Sequence, residues 1–468
     1  GLSPTDYARM MAGKIAVGWP PGFFYSYANP GHTLAGAAIE AVCACSYDDF
    51  MAEEVLGPVG MADASFSLSP EQAPRLANSY RADGVAPSGR WEMGVRPSGS
   101  LLVTAEDLGA LVKFYATRGE GVDIISEQLF IRMENAETSA TARAGVVEGG
   151  YSLGNFGFFA GKGKIFHGHT GGTDGFRTWM GYDPDTASGF AVVTNGGPPG
   201  MRSQLMRLIG GYLLRDLEPA APAPAVGGAE RFVEAGWYAP FTHEMPFRAW
   251  LFSVFGAVKL TPDGDGLALD PIAPTGSPRR LVHVGEGRFR TETRPIATAA
   301  MVDGPDGARV FVEGEAYARI SVFAAYGAFY LFAGGLVVGA LVAAHAVFWI
   351  AMRVFGRLEP GAGVRLRAGL AVSGACLVAL VAMFVTYAML ADVNTSGQFG
   401  RPGALPISLS VMSVVGPAAL LFAGVSLAQR APGRAPLRLY GLVGLVFLGG
   451  AWALTAVNGW VPFVSWRI

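Results

Sequence analysis

The sequence predicts three kinds of structure in series: an α+β domain, a small all-β module and a four-helix transmembrane bundle. Three observations lead there. First, 51% of the 468 residues are hydrophobic and only 15% are charged, which is too apolar for an average soluble chain. Second, the excess is uneven. From Ile320 to Ile468 there are nine Arg, no Lys and two acids (Glu359 and Asp392), net +7, which leaves 26 basic and 35 acidic residues, net −9, in residues 1–319. Third, within 1–319 helical and strand spacings alternate up to residue 217, and short strands alone follow a Pro/Ala stretch at 218–230. The acidic part excludes a nucleic-acid partner, which needs a basic footprint.

The first domain, residues 1–217, reads as follows. Pro21-Gly22 ends a loop, and Phe23 to Asn29 leads into Pro30-Gly31. Leu34, Ala37, Ala38, Ala41 and Val42 then recur at helical spacing. Ser46, with Asp49 three residues on, opens a helix that Gly57-Pro58 stops. Thr104 to Asp107 opens another, with Leu108, Leu111, Val112 and Tyr115 on its apolar face and Gly119 at its end. Gly175–Asp183 and Ser188–Thr194 read as two strands joined by a Pro184-Asp185 turn. A helix with Leu205, Leu208, Ile209 and Tyr212 inward closes the unit. Glu40, Glu53 and Glu54 read as solvated helix positions rather than a glycosidase pair. Three cysteines make no disulfide framework: Cys43 and Cys45 are expected on different sides of a helix, and Cys376 lies in an apolar run.

Pro219 to Pro224 is a stiff Pro/Ala segment. Residues 231–319 carry short alternating runs (Val258–Leu260, Leu267–Leu269, Phe289, Val310–Val312) between Asp/Gly turns, which predicts a small antiparallel barrel or sandwich. The apolar run Trp250–Phe255 suits core, a membrane contact or a cover over a cleft. Residues 320–352 contain no Asp, Glu, Lys or Arg, and similar runs follow at roughly 368–391, 405–429 and 439–461; about 20 apolar residues cross a bilayer. The first and third loops hold Arg353, Arg357, Arg365, Arg367 and Arg430, Arg434, Arg438, against Arg401 alone in the second. By the positive-inside rule, residues 1–319 then lie outside the cytoplasmic (inner) membrane, with Trp460 and Trp466 at the interface. Gly335-x-x-x-Gly339 predicts a close helix crossing, and His345 a helix–helix hydrogen bond rather than a proton relay. A lipid bilayer is the expected partner of this part.

Two motifs carry chemistry. Tyr27-Ala28-Asn29 sits in a loop feeding a helix, and His169-Thr170-Gly171-Gly172 precedes Thr173-Asp174-Gly175-Phe176 and a strand. A Tyr oxygen can carry a proton, an Asn amide can hold a substrate carbonyl, and a Gly-rich strand admits substrate and offers N–H groups to an oxyanion. The bland alternatives are a packed loop Tyr, a helix-capping Asn and a turn His. His167 and His169 share one strand face, but no third ligand is near them, so neither metal nor cofactor is expected. Asp174 and Asp183 read as turn residues.

In these residues the sequence resembles the serine β-lactamase and penicillin-binding-protein-like hydrolases, in particular the class C-type branch with its D-alanyl-D-alanine carboxypeptidases and esterases. Tyr27-Ala28-Asn29 matches the family's Y-x-N and His169-Thr170-Gly171 its H-T-G variant of K-T-G. Pro21-Gly22, Leu56 to Met61, Ser98 to Leu108 and Val193 to Gly196 are similar to its connecting segments. The resemblance implies a β-lactamase/DD-peptidase-like domain, an antiparallel sheet flanked by helices, acting on a β-lactam, a D-amino-acid peptide or an ester through an acyl-enzyme. It gives Tyr27 the proton-shuttle role, Asn29 the substrate amide, His169 and Thr170 the substrate carboxylate, and Gly171-Gly172 the oxyanion side. The barrel segment looks like the lipocalin-like module often appended to these hydrolases. The family's S-x-x-K is missing: none of the five Lys has a Ser three residues before it. The expectation is therefore an N-terminally truncated, inactive piece of a serine hydrolase. The alternative is a non-catalytic penicillin-binding-like sensor on a membrane anchor.

Overall fold

A computed structural model of the chain describes residues 2–13, 18–80, 96–146, 151–173, 175–198, 200–242, 254–274, 276–356, 363–390, 404–429 and 435–457. Lys14, Asp174, 250–253 of the apolar run, Arg357, Glu359, Asp392, Arg401, Arg430, Arg434, Trp460 and Trp466 lie outside them. By density of contacts the chain divides into two units, with the division inside the barrel strands: Gly1–Glu234, Thr261–Ala268 and Arg279–Tyr317 form one, and Ala235–Leu260, Leu269–Pro278 and Ala318–Ile468 the other.

In the first unit a four-stranded antiparallel sheet runs β1 (Phe156–Gly161), β2 (Lys164–Gly172), β3 (Arg177–Asp183), β4 (Ser188–Thr194), each strand paired with the next. β3 begins two residues later than its apolar run, because Gly175 adopts a left-handed φ of 78°. The turn after β3 forms because the Asp183 carboxylate accepts from Asp185 N–H and Thr186 Oγ1. Among the helices α1 (Pro4–Met11), α2 (Asn29–Cys43), α3 (Tyr47–Met51), α4 (Gly57–Val59), α5 (Ala105–Ala116), α6 (Glu127–Glu134), α7 (Ala140–Arg143) and α8 (Met201–Leu213), α5 has the expected start. Its Thr104 and Asp107 form a reciprocal capping box. Val112, Ala116 and Tyr115 pack on fully buried Tyr182, with the two Tyr rings stacked at 5.2 Å. Burying a ring of that size contributes roughly 2–3 kcal/mol.

Several expectations fail locally. α3 does not stop at Gly57-Pro58; it passes through a π-helical turn (Ala52–Leu56) into α4 and ends where Gly60 turns left-handed at φ 87°. The apolar stripe of α2 is not its buried face, and that of α8 is buried only in part, with Leu205 and Ile209 half-buried. In α2, Thr33 and Gly36 are buried while Leu34 and Val42 are 38% and 89% exposed. An added Cβ on Gly36 would lie 2.3 Å from Pro97 Cγ, so the lack of a side chain, not apolarity, sets the contact. In α8, Gly210 lies over the Ala160 carbonyl (2.6 Å from an added Cβ), and Leu208 and Tyr212 are 71% and 66% exposed. Glu40 is not simply solvated: its carboxylate accepts from Thr5 N–H and Oγ1 and from Tyr47 N–H, joining α1, α2 and α3. Cys43 and Cys45 form a disulfide. The helix ends at Cys43, and Ala44 adopts a left-handed φ of 56°, which folds the second thiol back.

The all-β segment is a closed eight-stranded barrel in the order β10-β11-β12-β5-β6-β7-β8-β9. Its strands are β5 (Gly236–Pro240), β6 (Val258–Asp263), β7 (Gly266–Pro271), β8 (Arg279–His283), β9 (Arg288–Thr291), β10 (Ala299–Asp303), β11 (Arg309–Glu313) and β12 (Glu315–Ile320). Closure leaves no strand edge. Within the first unit the Pro/Ala segment is bonded on both sides: Ala220 N–H donates to Lys162 O, and Ala223 N–H to Pro295 O.

Among the described residues of the second unit four helices are long and apolar enough to cross a membrane: α9 (Val322–Val354), α10 (Val364–Leu390), α11 (Ala404–Ala428) and α12 (Ala435–Val457). Gly335 meets α12, where an added Cβ would lie 2.5 Å from Ala451 Cβ. Gly339 meets α10, 3.2 Å from Gly374 Cα. The small-residue motif thus admits two neighbours, one at each glycine. His345 makes the expected interhelical bond, accepting at Nε2 from Arg367 Nη1.

Candidate active site

The loop that carries Tyr27 is fixed from one side. Ala140 N–H donates to Phe23 O and Arg143 Nη2 to Gly22 O, so α7 holds the approach to α2. α7 is in turn capped by buried Ser139. Tyr27 is half-buried two residues before α2. Asn29 is the first residue of α2 and is exposed. The helix cap is Ala28, with no side-chain cap bond, so Asn29 is not a capping residue.

His169 is in the middle of β2 rather than in a turn, opposite Met180 of β3, with Thr170 opposite Trp179. Cross-strand partners share a face, so His169 lies on the sheet face that Tyr182 and α5 occupy. Gly171 and Gly172 are exposed at the end of the strand. Side chains there would intrude: a Cβ on Gly171 would meet Thr178 Oγ1 at 2.3 Å. The turn beyond is braced by Arg177, whose Nη1 donates to Thr173 O and Phe176 O.

The fold brings Tyr27 and His169 together, with ring centroids 6.1 Å apart. Around them stand residues the motifs did not indicate. Tyr151 lies 6.0 Å from Tyr27, 5.8 Å from His169 and 5.9 Å from His32, and Tyr25 stacks on it at 6.0 Å. Phe156 lies 5.4 Å from His169. These aromatics come from the loop before α2, from α2 itself, from residue 151 and from β1, so no fixed spacing links them.

His169 Nδ1 sits 2.6 Å from Thr170 O. A carbonyl only accepts, so Nδ1 carries the proton and Nε2 of the neutral ring remains an acceptor. Burial pulls the His169 pKa below its ordinary value; the Thr170 carbonyl opposes this and His32 adds to it. Burial likewise lowers His167, whose Nδ1 has no partner among the described residues, with Glu134 and two Asp opposing. Burial, and then Tyr27 and Tyr25, push Tyr151 well above the usual phenol range, so it is a neutral wall. Near neutral pH the position that carries a permanent cation in K-T-G thus holds an uncharged imidazole. Among the described residues no group of three or more His, Cys, Asp or Glu is placed to hold a metal ion.

Part of the chain is similar to known proteins. The beta-lactamase family model matches residues 5–210. Penicillin-binding protein 4 of Amycolatopsis lactamdurans is 25% identical over 189 residues, 38% of this chain and 49% of that protein. A beta-lactamase-like protein of Homo sapiens is 36% identical over 93 residues, 19% of this chain and 18% of its own length. The chain therefore spans about half or less of these curated relatives. Among solved structures, the octameric penicillin-binding protein homologue from Pyrococcus abyssi is 22% identical, with 67% of this chain and 70% of that one covered at a TM-score of 0.39. Residues 5–210 thus match the beta-lactamase family model, and this part of the chain is similar to penicillin-binding-protein-like proteins.

Proposed function

We propose that the chain is part of a membrane-anchored serine hydrolase that forms an acyl-enzyme on a β-lactam, a D-amino-acid peptide or an ester. The observation that carries the reading is the approach of Tyr27 to His169 from two motifs far apart in sequence. In this reading a serine oxygen attacks the substrate carbonyl carbon, Tyr27 passes the serine proton to the leaving amine or alkoxide, and water then releases the acid. Asn29 orients the substrate amide. His169 and Thr170 hold the substrate carboxylate, Gly171 leaves room for it, and Gly172 N–H supplies one half of the oxyanion hole. The serine and lysine of S-x-x-K are not among these 468 residues, so the reading requires them from beyond. Exposed Leu34, Val42, Leu208 and Tyr212 offer apolar surface for such a segment.

The same reading divides the chain into a hydrolase part (1–217), a linker (218–230), the barrel segment (231–319) and the anchor (320–468). It places the hydrolase outside the inner membrane, because the described loop-side cations Arg353, Arg365, Arg367 and Arg438 flank the first and third loops. The test is turnover by the intact gene product of a β-lactam, a D-alanyl-D-alanine peptide, a D-amino-acid amide and an aryl ester. At least one is expected to be hydrolysed, with Tyr27→Phe lowering kcat/KM about a hundredfold or more. No turnover, or a Tyr27→Phe variant as active as the parent, defeats the proposal. The absent S-x-x-K favours a second reading, a module that binds such ligands without turning them over; saturable binding with no hydrolysis distinguishes it.

A further inference from the structure

We infer that the bundle holds a phosphate anion between three of its helices, at Arg367, His345 and Tyr440, and that an anionic lipid head group supplies it. Arg367 stands in the first turn of α10, His345 nine residues before the end of α9 and Tyr440 in the second turn of α12. Arg367 Nη1 lies 2.5 Å from His345 Nε2, the guanidinium carbon 5.8 Å from the Tyr440 ring centre, and the His345 and Tyr440 rings 5.4 Å apart. A ring nitrogen that accepts from a guanidinium carries no proton, so His345 adds no second charge.

The cluster therefore has one positive charge and, among the described residues, no carboxylate paired with it. After residue 320 the chain's only acids are Glu359 and Asp392. Among the described residues one of the five guanidinium N–H groups is used. Tyr440 Oη is buried and has no hydrogen-bond partner among the described residues. Water would satisfy that hydroxyl but leave the guanidinium, set between three helices, without a counter-ion among the described residues. A phosphate accepts from both groups and neutralises the charge.

Two features favour a lipid over a free anion. Leu341 and Phe348, one turn to either side of His345 on the same face of α9, are each 63% exposed, so the cluster opens where acyl chains run. α10 and α12 begin side by side, Gly363 against Leu437, and Arg365 and Arg438 at those ends add the positive field that draws anionic head groups. At 1.5 Å per residue α9 is about 50 Å long, some 20 Å more than the hydrocarbon core, which lets His345 sit at head-group depth.

The test is native mass spectrometry of the chain in detergent, offered dioleoylphosphatidylglycerol, dioleoylglycerol (the same acyl chains without phosphate) or inorganic phosphate. One phosphatidylglycerol is expected to be retained about tenfold more tightly than dioleoylglycerol. Arg367→Gln should fall to the dioleoylglycerol level, Arg367→Lys should keep most of the difference, and Tyr440→Phe should lose about threefold. Retention of inorganic phosphate, lost in the same variants, keeps the phosphate site and assigns it to a soluble anion. Equal retention of the two lipids with no phosphate bound overturns the inference, as does a folded Arg367→Gln indistinguishable from the parent. If Arg367→Gln does not fold, Tyr440→Phe decides alone.

Discussion

Gly168 is the residue on which the placement of His169 most depends, and Gly168→Ala is the sharpest perturbation of the sheet. Gly168 of β2 lies opposite Gly181 of β3. An added Cβ would stand 2.1 Å from Met180 O and 2.9 Å from Gly181 Cα, both backbone atoms that no rotamer change can move. Ordinary contact needs about 3.5 Å, so the strands must part by more than 1 Å, enough to break the adjacent ladder bonds. Two lost hydrogen bonds at about 1 kcal/mol each and about 1–3 kcal/mol of overpacking predict a loss of roughly 3–5 kcal/mol. For a folding unit of this size that is about 6–20 °C in Tm. The assay is thermal unfolding of the full chain in detergent, followed by near-UV circular dichroism. The matched control is Gly109→Ala inside α5, where an added Cβ meets nothing within 4 Å and about 0.5–1 kcal/mol of stabilisation is expected. If Gly168→Ala melts within about 2 °C of the parent, β2 and β3 are not paired in this register and the account of His169 falls with it.

Acidification should destabilise the first unit. Burial holds His167 and His169 below their ordinary value, so the unfolded chain takes up protons first. Stability is fully present above about pH 6.5 and is lost as pH falls from there through the folded-state values. Denaturant midpoints at pH 7.5 and 5.5 check this; a flat profile, or one that His167→Gln and His169→Gln leave unchanged, contradicts it. Thr104→Ala removes the hydroxyl that accepts from Asp107 N–H, leaving the residue-104 backbone N–H on the Asp107 carboxylate, and should cost about 1 kcal/mol in a denaturant titration. Ser373→Ala leaves the buried Trp452 indole N–H without the oxygen it reaches at 2.9 Å. Unfolding of the bundle in mixed micelles should show a loss of about 1 kcal/mol, and no change would mean that the two helices do not meet there.

The sequence was legible wherever a local rule acts on neighbouring residues. The helix start at Thr104, the limits of β4, the four apolar spans and the Gly335–Gly339 crossing all follow from short spacings. It was misread where contact is decided by the absence of a side chain. In α2 and α8 the apolar stripe marks a helix, but the tightest contacts fall on Gly36 and Gly210, which let proline or backbone approach more closely than Leu34 or Leu208 would. The Cys43–Cys45 bridge was hidden because a helical projection holds only while the helix continues, and Ala44 ends it. Within the site, Tyr27 and His169 were legible as parts of motifs. Tyr151, Tyr25, His32 and Phe156 were not, since only the tertiary fold gathers them.

The most direct test of the central claim is covalent trapping. The intact gene product, in its own membrane, is treated with a fluorescent penicillin and with a fluorophosphonate, and the protein mass is read before and after. The account predicts one adduct on a serine of an S-x-x-K motif, formed far more slowly in Tyr27→Phe. No adduct with either reagent, or labelling that Tyr27→Phe and His169→Gln leave untouched, would contradict an acyl-transfer site at Tyr27 and His169.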